Sequence, residues 1–258
     1  MNKSYEYPEH FARFYDIIYC QLRDETDKDY FLSQIRTVTG KVLEVGVGTG
    51  RFFKTALVEG ADIYGIDTSS AMIAELYDKI EVKEHKRVSI QSAIDFKFDF
   101  QFELVIAPFR VMMHVLEKED QIKSINNVYD HLEPGGKFIF DAFVPDLKYI
   151  IKGFENFVDF EGEHETGKKL KRTVSSYPDL INQLINVEFV LEWEENDKIH
   201  DEKWNVPLRF FFRYELEHLM ERTKFESYEI QGDFDGNPLT KDSKEFIVVC
   251  KKISSNKY

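Results

Sequence analysis

The chain has 258 residues, a formal net charge of -13 and a hydrophobic fraction of 43%. This length suits one large α/β domain or a core domain with an insertion, and the apolar content excludes global disorder. The acidic balance disfavours DNA or RNA as a partner, because an acidic surface repels phosphate backbones. The longest apolar stretch is too short and too interrupted to span a bilayer. We therefore expect a globular protein without a membrane or nucleic-acid partner.

Cysteine usage and the N-terminus bear on the compartment. Cys20 and Cys250 lie far apart and without metal-ligand spacing, and both stand in apolar surroundings. We expect two buried free thiols in a reducing compartment and no metal site. Residues 1–8 lack the apolar core of a signal peptide, which predicts a cytoplasmic protein. We interpret the one dense basic cluster, 168–172, as a solvated strand end or turn.

The predicted elements begin with helices and then alternate between strands and helices. Residues 8–38 carry apolar side chains at three- and four-residue spacing, which predicts a helix and a second helix after Asp27. From residue 41 onward, short apolar runs alternate with amphipathic stretches, which predicts βαβ units and a parallel sheet covered on both faces. The predicted strands are 41–45, 62–66, 87–91, 102–107 and 137–143, and the predicted helices are 51–59, 69–84 and 118–132.

After Pro145 the hydrophobic pattern changes to period two. Apolar and polar residues alternate at 185–194, which predicts a half-buried strand, and a turn follows at 195–198. We interpret 154–212 as an antiparallel insertion of about four strands. The remaining predicted elements are strands 168–176, 199–212, 227–232 and 245–251 and a helix at 214–223.

A glycine-rich loop follows the first predicted strand and opens a helix. Its spacing, Gly46-x-Gly48-x-Gly50, lets the chain turn sharply and lets the backbone approach a ligand closely. Asp67 stands at the end of the next strand, where a carboxylate can accept both hydroxyls of a ribose. Glu44 precedes the loop, where it would repel the pyrophosphate of a dinucleotide but suits the ammonium group of S-adenosylmethionine (SAM). The loop therefore predicts SAM as the ligand.

Three segments of residues 42–143 resemble the motifs of the class I, Rossmann-like SAM-dependent methyltransferases. Val42–Gly50 resembles their first motif, and Tyr64–Met72 resembles their second strand with the turn after it. Leu132–Phe138 resembles the turn before their fifth strand. The helices before the core and the insertion after it are similar to the small-molecule subgroup, which includes sugar N,N-dimethyltransferases and glycine N-methyltransferase-like enzymes.

The resemblance implies an α/β fold with a Rossmann-like, doubly wound, mostly parallel seven-stranded sheet. N-terminal helices would precede this sheet, and an antiparallel β insertion would follow its fifth strand. The insertion is rich in aromatic residues, which suit a substrate lid, an apolar face of a homodimer, or packing against the main sheet: Trp193, Trp204, Phe210, Phe211 and Phe212. The predicted domains are a SAM-binding core of 1–153 and 213–258, with an N-terminal helical cap of 1–39, and the insertion of 154–212.

The resemblance also implies which residues hold the cofactor. Met72 stands where many members place a residue against the adenine. Ser92 stands where many members carry an acid that bonds the adenine amino group, and a serine can also accept a hydrogen bond. The predicted cofactor residues are Glu44, Gly46, Gly48, Gly50, Asp67, Thr68, Met72, Ser92, Ala93, Ile94, Ala107 and Phe109.

Four residues are candidates for the acceptor half of the site. His114, in the segment after the fourth strand, is either the general base or a histidine bonded to backbone. Arg110 either binds an acidic substrate or pairs with a surface carboxylate. Tyr15 and Tyr19 share one helix face, and they either reach the site from the cap or pack in the core.

These features predict a SAM-dependent methyltransferase that modifies nitrogen or oxygen of a small-molecule acceptor, since such chemistry requires mainly alignment of donor and acceptor. The acidic charge disfavours the alternative of an RNA or protein methyltransferase. A SAM-binding sensor or scaffold without catalysis is a further alternative, which Ser92 favours. Glu44 and the loop spacing oppose a nicotinamide-dependent dehydrogenase. The sequence leaves open whether the protein forms a homodimer.

Overall fold

The computed structural model describes residues 7–253. The helices are α1 Glu9–Arg13, α2 Tyr15–Leu22, α3 Thr26–Arg36, α4 Phe53–Val58, α5 Ser70–Tyr77, α6 Lys118–His131, α7 Leu147–Lys152 and α8 Arg213–Glu221. Short 3-10 turns occur at Val82–Arg87 and Val111–His114. The strands are β1 Val42–Val45, β2 Ile63–Asp67, β3 Val88–Ile90, β4 Phe102–Ala107, β5 Leu132–Phe143, β6 Phe154–Glu165, β7 Lys168–Asp179, β8 Leu184–Glu195, β9 Lys198–Arg209, β10 Ser227–Gln231 and β11 Glu245–Lys251.

The main sheet has seven strands in the order β10-β11-β5-β4-β1-β2-β3. Strands β1 to β5 run parallel. β11 pairs antiparallel with β5, and β10 pairs antiparallel with β11, so β10 again runs in the direction of β1 to β5. The predicted Rossmann-like fold is therefore confirmed. Because the chain leaves β1 toward β2 and later returns to its other side at β4, a crevice forms at the carboxyl ends of these strands.

Both faces of the main sheet are buried, which explains the continuous apolar runs of its strands. Leu43, Val105 and Phe138 belong to the core on one face. Their neighbours Leu104 and Ile139 belong to the core on the other face. Successive side chains of a strand point to opposite faces, so a strand covered on both sides has no polar alternation.

The second sheet is antiparallel, with the order β6-β7-β8-β9. At the turn between β8 and β9, Asn196 and Asp197 have positive φ values of 51° and 57°, a geometry that suits tight hairpins. Trp193 packs into a cluster with Phe11 and Phe14 of the N-terminal helices. The inner face of this sheet therefore supports the cap. The domain limits at residues 154 and 212 stay a prediction.

The remaining aromatic residues of the insertion divide between two environments. Trp204 packs at the edge of the cluster under the cap. Phe210 and Phe211 are buried in the main core, whereas Phe212 is exposed. The predicted strand 199–212 was too long, because β9 ends at Arg209 and the chain then turns inward to bury these two rings.

Other predicted boundaries were wrong for local reasons. The helix predicted at 69–84 ends at Tyr77, whose ring stacks on His85 at 4.1 Å as the chain turns back through a 3-10 turn. The second predicted helix of segment 8–38 corresponds to α3, whereas the first is divided into α1 and α2. The fifth strand begins at Leu132 instead of residue 137, since Phe102 at the start of β4 already pairs with Leu132.

Two predictions about solvent exposure were also wrong. Cys20 is exposed, because α2 buries the face that carries Ile18, whereas Cys250 is buried as predicted. The basic cluster 168–172 is only partly solvated. Arg172 is buried and pairs with Asp159 at 2.8 Å, because alternate residues of β7 face inward. No helix within residues 7–253 is long and apolar enough to cross a membrane.

Candidate active site

A cavity of about 830 Å³ opens at the carboxyl ends of β1, β2 and β4. It lies at the point where the strand order reverses, where open α/β sheets bind ligands. The structure brings both halves of the predicted site to its wall. The predicted residues that line it are Glu44, Gly46, Gly48, Asp67, Thr68, Met72, Ser92, Ala93, Ile94, Phe109, Tyr15 and His114.

The three glycines of the loop have different surroundings. At Gly46 (φ 73°) a β-carbon would lie 2.3 Å from Val111 Cγ2, and at Gly50 (φ 88°) it would lie 2.3 Å from Leu76 Cδ1. Gly50 is therefore required by packing and lies outside the cavity wall. At Gly48 (φ 52°) the nearest atom is Met72 Cε at 3.5 Å. Gly48 is thus the glycine whose open side faces a ligand.

Asp67 connects the glycine loop to the start of α5. Its Oδ2 accepts a hydrogen bond from the Gly48 N–H at 2.9 Å, and its Oδ1 accepts one from the Ser69 N–H at 2.8 Å. Burial raises the pKa of Asp67, while these backbone N–H groups act in the opposite direction. Each carboxylate oxygen has a further lone pair, so the group can still accept the two hydroxyls of a ribose.

Glu44 is a buried acid in the cavity wall, and it is only 1% exposed. Burial raises its pKa well above 4.5, the Asp67 charge adds to this, and a hydrogen bond from the Phe53 backbone opposes it. Its Oε2 has no hydrogen-bond partner within the described chain. A buried carboxylate oxygen without a partner suits a cationic ligand group, so the residues present fit the ammonium of SAM.

We expect SAM binding to release a proton from Glu44. Burial raises the pKa of Glu44 in the free protein, and a bound ammonium lowers that pKa. Affinity for SAM should therefore rise with pH through the interval between the two pKa values. Calorimetric titration in buffers of different ionisation enthalpy measures the released protons. Glu44→Gln should abolish this release and weaken binding roughly tenfold.

Glu59→Gln is the matched control for this experiment. Glu59 is a partly exposed glutamate that pairs with Arg36 at 2.6 Å, and it takes no part in the cavity wall. Its variant should bind SAM with the proton release of the unmodified chain. Equal release from the Glu44 and Glu59 variants would contradict the role assigned to Glu44.

The N-terminal cap is fixed to the glycine loop by polar contacts. Thr49 Oγ1 donates a hydrogen bond to Asp16 Oδ1 of α2 at 2.6 Å. Lys79 pairs with Asp16 and donates to the Thr49 carbonyl at 3.2 Å. Tyr7 and Tyr15 of the cap line the cavity. Tyr7, Asp16 and Thr49 were not among the predicted site residues, because no local pattern indicates that these segments meet.

The other two candidates of the acceptor half lie behind the wall. Tyr19 packs against Tyr15, with ring centroids 4.4 Å apart, and against Phe109 at 5.4 Å. Arg110 points away from the cavity and donates a hydrogen bond to Glu245 Oε1 at 2.8 Å. Ala107 is also absent from the wall, because it is fully buried in the core. The structure therefore favours the interpretation of Arg110 as one half of an ion pair.

The loop after β3 forms the end of the cavity that the resemblance assigns to adenine. Ser92 Oγ accepts a hydrogen bond from the Ile94 N–H at 3.2 Å, which stabilises the turn. Asp95 lines the same end and was not among the predicted residues. It is the one acid in the segment 91–95 after the strand, and this position was the signal that could have identified it.

His114 lies in the 3-10 turn after β4 and faces the cavity. Burial lowers its pKa from 6.5 to about 4, so the imidazole is neutral at pH 7. Tyr15 lines the same cavity, and burial raises the Tyr15 pKa well above 10. The acceptor end thus presents a neutral imidazole and a neutral phenol, which can exchange hydrogen bonds with a substrate.

Comparison with known proteins identifies the domain that carries this cavity. The family model of the methyltransferase domain matches residues 42–136. This range runs from β1 into β5, and it includes the glycine loop, Asp67 and His114. Residues 42–136 therefore form a methyltransferase domain.

Relatives extend the similarity beyond the matched domain. The methyltransferase is 22% identical over 256 residues to the glycine/sarcosine N-methyltransferase of Halorhodospira halochloris, covering 96% of this chain and 89% of that protein. It is 27% identical over 136 residues to phosphoethanolamine N-methyltransferase 2 of Caenorhabditis elegans, covering 46% of this chain and 30% of that protein.

Solved structures share the fold of the methyltransferase over nearly its whole length. A SAM-dependent methyltransferase from Clostridium acetobutylicum superimposes with a TM-score of 0.75 at 16% identity, covering 95% of this chain and 98% of that one. A sugar N-methyltransferase from Streptoalloteichus superimposes with a TM-score of 0.74 at 15% identity, covering 98% and 96%. The shared fold includes the cap and the antiparallel insertion, since these matches extend well beyond residues 42–136.

Proposed function

We propose that this methyltransferase transfers the methyl group of SAM to an amine nitrogen of a small-molecule acceptor. The observation that carries the proposal is the bounded cavity, in which the cap residues Tyr7 and Tyr15 face the glycine loop and His114. An acceptor must fit in the space that SAM leaves between these walls. The acidic chain and the N-methyltransferase names of its relatives support a small amine over a nucleic acid.

In this proposal the residues of the donor half position SAM, which supplies a methyl group on a sulfonium. Asp67 accepts the ribose hydroxyls, and Glu44 pairs with the ammonium group. Gly48 provides close backbone approach. Apolar side chains on α5 and in the loop after β3 would hold the adenine, namely Met72, Ala93 and Ile94.

The acceptor half favours an amine for electrostatic reasons. Glu117 and Asp120 also line the cavity, although Asp120 pairs with Lys123 at 3.1 Å, and acidic residues in the wall attract a protonated amine. Closer to the cap, aromatic surroundings lower the pKa of an ammonium and so favour the neutral nitrogen that can accept a methyl group. His114 is neutral at pH 7 and can accept a hydrogen bond from that nitrogen without repelling a sulfonium.

Two measurements test the proposal. Calorimetric titration should show binding of SAM and of its demethylated product, and absence of binding at millimolar SAM would contradict it. Transfer of labelled methyl from SAM to a panel of small amines and the corresponding alcohols should then give labelled amines. Label found only in added tRNA or protein would contradict the small-molecule acceptor.

Replacement of His114 by alanine should lower kcat by roughly 100-fold, because the acceptor loses a hydrogen-bonding partner near the reacting nitrogen. His218→Ala is the matched control, since His218 is an exposed histidine that pairs with Glu221 on the surface. Protonation of His114 should affect kcat only as the pH falls toward about 4. A His114-dependent loss of activity centred near pH 6.5 would contradict this assignment.

A further inference from the structure

The turn after β4 is left-handed at two consecutive residues that are not glycine. Phe109 has a φ of 63° and Arg110 a φ of 65°. Side chains of L-residues disfavour this region, so such a turn persists only where its surroundings hold it. Phe109 lines the cavity. Whatever holds the turn therefore determines where this ring lies in the wall of the site.

Asp141 holds the backbone of the turn. It lies on β5, is 2% exposed, and its Oδ2 accepts a hydrogen bond from the Arg110 N–H at 3.1 Å. The Arg110 guanidinium donates to Glu245 on β11 at 2.8 Å and lies over the Phe143 ring at 5.1 Å. The backbone of Arg110 is therefore bound to β5, which neighbours β4, and its side chain is bound to β11, the next strand of the sheet.

The cap holds the ring of Phe109 from the other side. The guanidinium carbon of Arg23 lies 3.6 Å from the centroid of this ring, and Tyr19 contacts it edge-on at 5.4 Å. A cation over an aromatic face is attracted to it, more strongly where water is excluded. The ring is thus fixed between the cap and the turn, and its position depends on the turn geometry that Asp141 sets.

The charges of Asp141, Glu245 and Arg110 indicate a role other than stabilising the fold. Burial and the neighbouring Glu245 charge raise the pKa of Asp141 to about 7. Asp141 Oδ1, Glu245 Oε2 and Arg110 Nε lack hydrogen-bond partners among the residues that the structure describes. Well-packed apolar residues often stabilise a protein as well as buried charges do. Incompletely paired buried charges directly behind a cavity wall suggest that they maintain its shape.

We propose that Asp141 is a positioning residue, which holds the Phe109–Arg110 turn in its left-handed conformation and thereby keeps the Phe109 ring in the cavity wall. The placement of the ring follows from contacts within the chain and requires neither SAM nor an acceptor. Only its consequence for catalysis rests on the proposed methyl transfer to an amine.

Fluorine NMR of the full chain tests the placement directly. With 4-fluorophenylalanine incorporated at position 109, the unmodified chain should give one resonance. Asp141→Ala should shift that resonance or divide it, because the turn loses its acceptor. Asp141→Asn should restore it, since the amide oxygen can accept the same N–H. A label at Phe102, buried at the opposite end of β4, should be unaffected by either variant.

Glu103→Ala is the matched control. The Glu103 carboxylate accepts backbone N–H groups of Thr39 and Gly40 at the opposite end of β4, at 3.0 and 2.5 Å. This variant loses comparable contacts without touching the turn, so the resonance at position 109 should not move. The proposal is wrong if Asp141→Ala leaves that resonance unchanged, if it shifts the labels at 102 and 109 alike, or if Glu103→Ala moves the label at 109 equally.

Kinetics test the consequence for catalysis. With an amine that accepts methyl, Asp141→Ala should lower kcat by roughly 10- to 100-fold, since misplacement of a wall residue misaligns the reactants. The Kd for SAM and the KM for the amine should change less than threefold. A shifted resonance with unchanged kcat would overturn the catalytic consequence. Failure to find any amine acceptor would count against the proposed function, while the fluorine spectra still decide the role of Asp141.

Discussion

Replacement of Asp67 by asparagine should weaken SAM binding by about two orders of magnitude. The carboxylate is proposed to accept two ribose hydroxyls while it already accepts the N–H groups of Gly48 and Ser69. An asparagine keeps a single acceptor oxygen and places an NH₂ group against one of these donors. The variant should lose contacts to the ribose and should distort the glycine loop. Calorimetric titration with SAM measures the change in Kd.

Asp62→Asn provides the matched control for Asp67→Asn. Asp62 directly precedes β2 at its opposite end, and its carboxylate pairs with Arg87 and with Lys41 at 3.5 Å. This variant loses one acid of the same type but leaves the cavity wall intact, so its Kd for SAM should stay within threefold of the original. A loss of affinity below threefold for Asp67→Asn would place the ribose elsewhere.

Replacement of Gly46 by alanine should lower the free energy of unfolding by about 3 kcal/mol. Two effects contribute to this loss. At a φ of 73° alanine is strained, and its β-carbon would lie 2.3 Å from Cγ2 of Val111. Valine has little freedom at χ1, so the backbone must move to relieve the overlap. Urea denaturation of Gly46→Ala measures the loss.

Two further variants separate strain from overlap. Gly60 has a φ of 90° and, among the described residues, no atom that a β-carbon would approach within 4 Å. Gly60→Ala should therefore cost only the left-handed strain, about 1 kcal/mol. Adding Val111→Ala to Gly46→Ala should recover part of the loss, as a double-mutant cycle detects. Equal losses at Gly46 and Gly60 would contradict the packing explanation.

The donor half of the site was accessible from sequence because its signals are local. The strand before the glycine loop is fully apolar except for Glu44, since both of its faces are buried. Loop, helix and second strand follow within 25 residues, so Asp67 could be placed beside Gly48 from the βαβ pattern alone. The strand at Phe102–Ala107 was predicted with its observed limits for the same reason, as an apolar run interrupted only by Glu103.

The packing of the N-terminal helical cap could not be predicted from local sequence patterns. Its amphipathic pattern predicted helices but did not indicate which part of the fold their buried face contacts. The second sheet decided this, because Trp193 and Leu191 pack against Phe14 and so place Tyr15 and Asp16 over the glycine loop. A sequence pattern reports how often apolar residues recur along a helix, and it does not report which distant strand they will meet.

The turn after β4 was determined by tertiary structure alone. Asp141 and Arg110 are separated by 31 residues, and Glu245 lies 135 residues from Arg110. They meet because β5 pairs with β11 in a register that brings Ile247 opposite Asp141. The sequence predicted only that Arg110 would contact an acidic substrate or a carboxylate of the protein. Local patterns of strand, loop and acid therefore predicted the fold and the residues that we propose to hold SAM. The walls of the acceptor half depend on the tertiary structure, because strand pairing between distant segments places the side chains that form them.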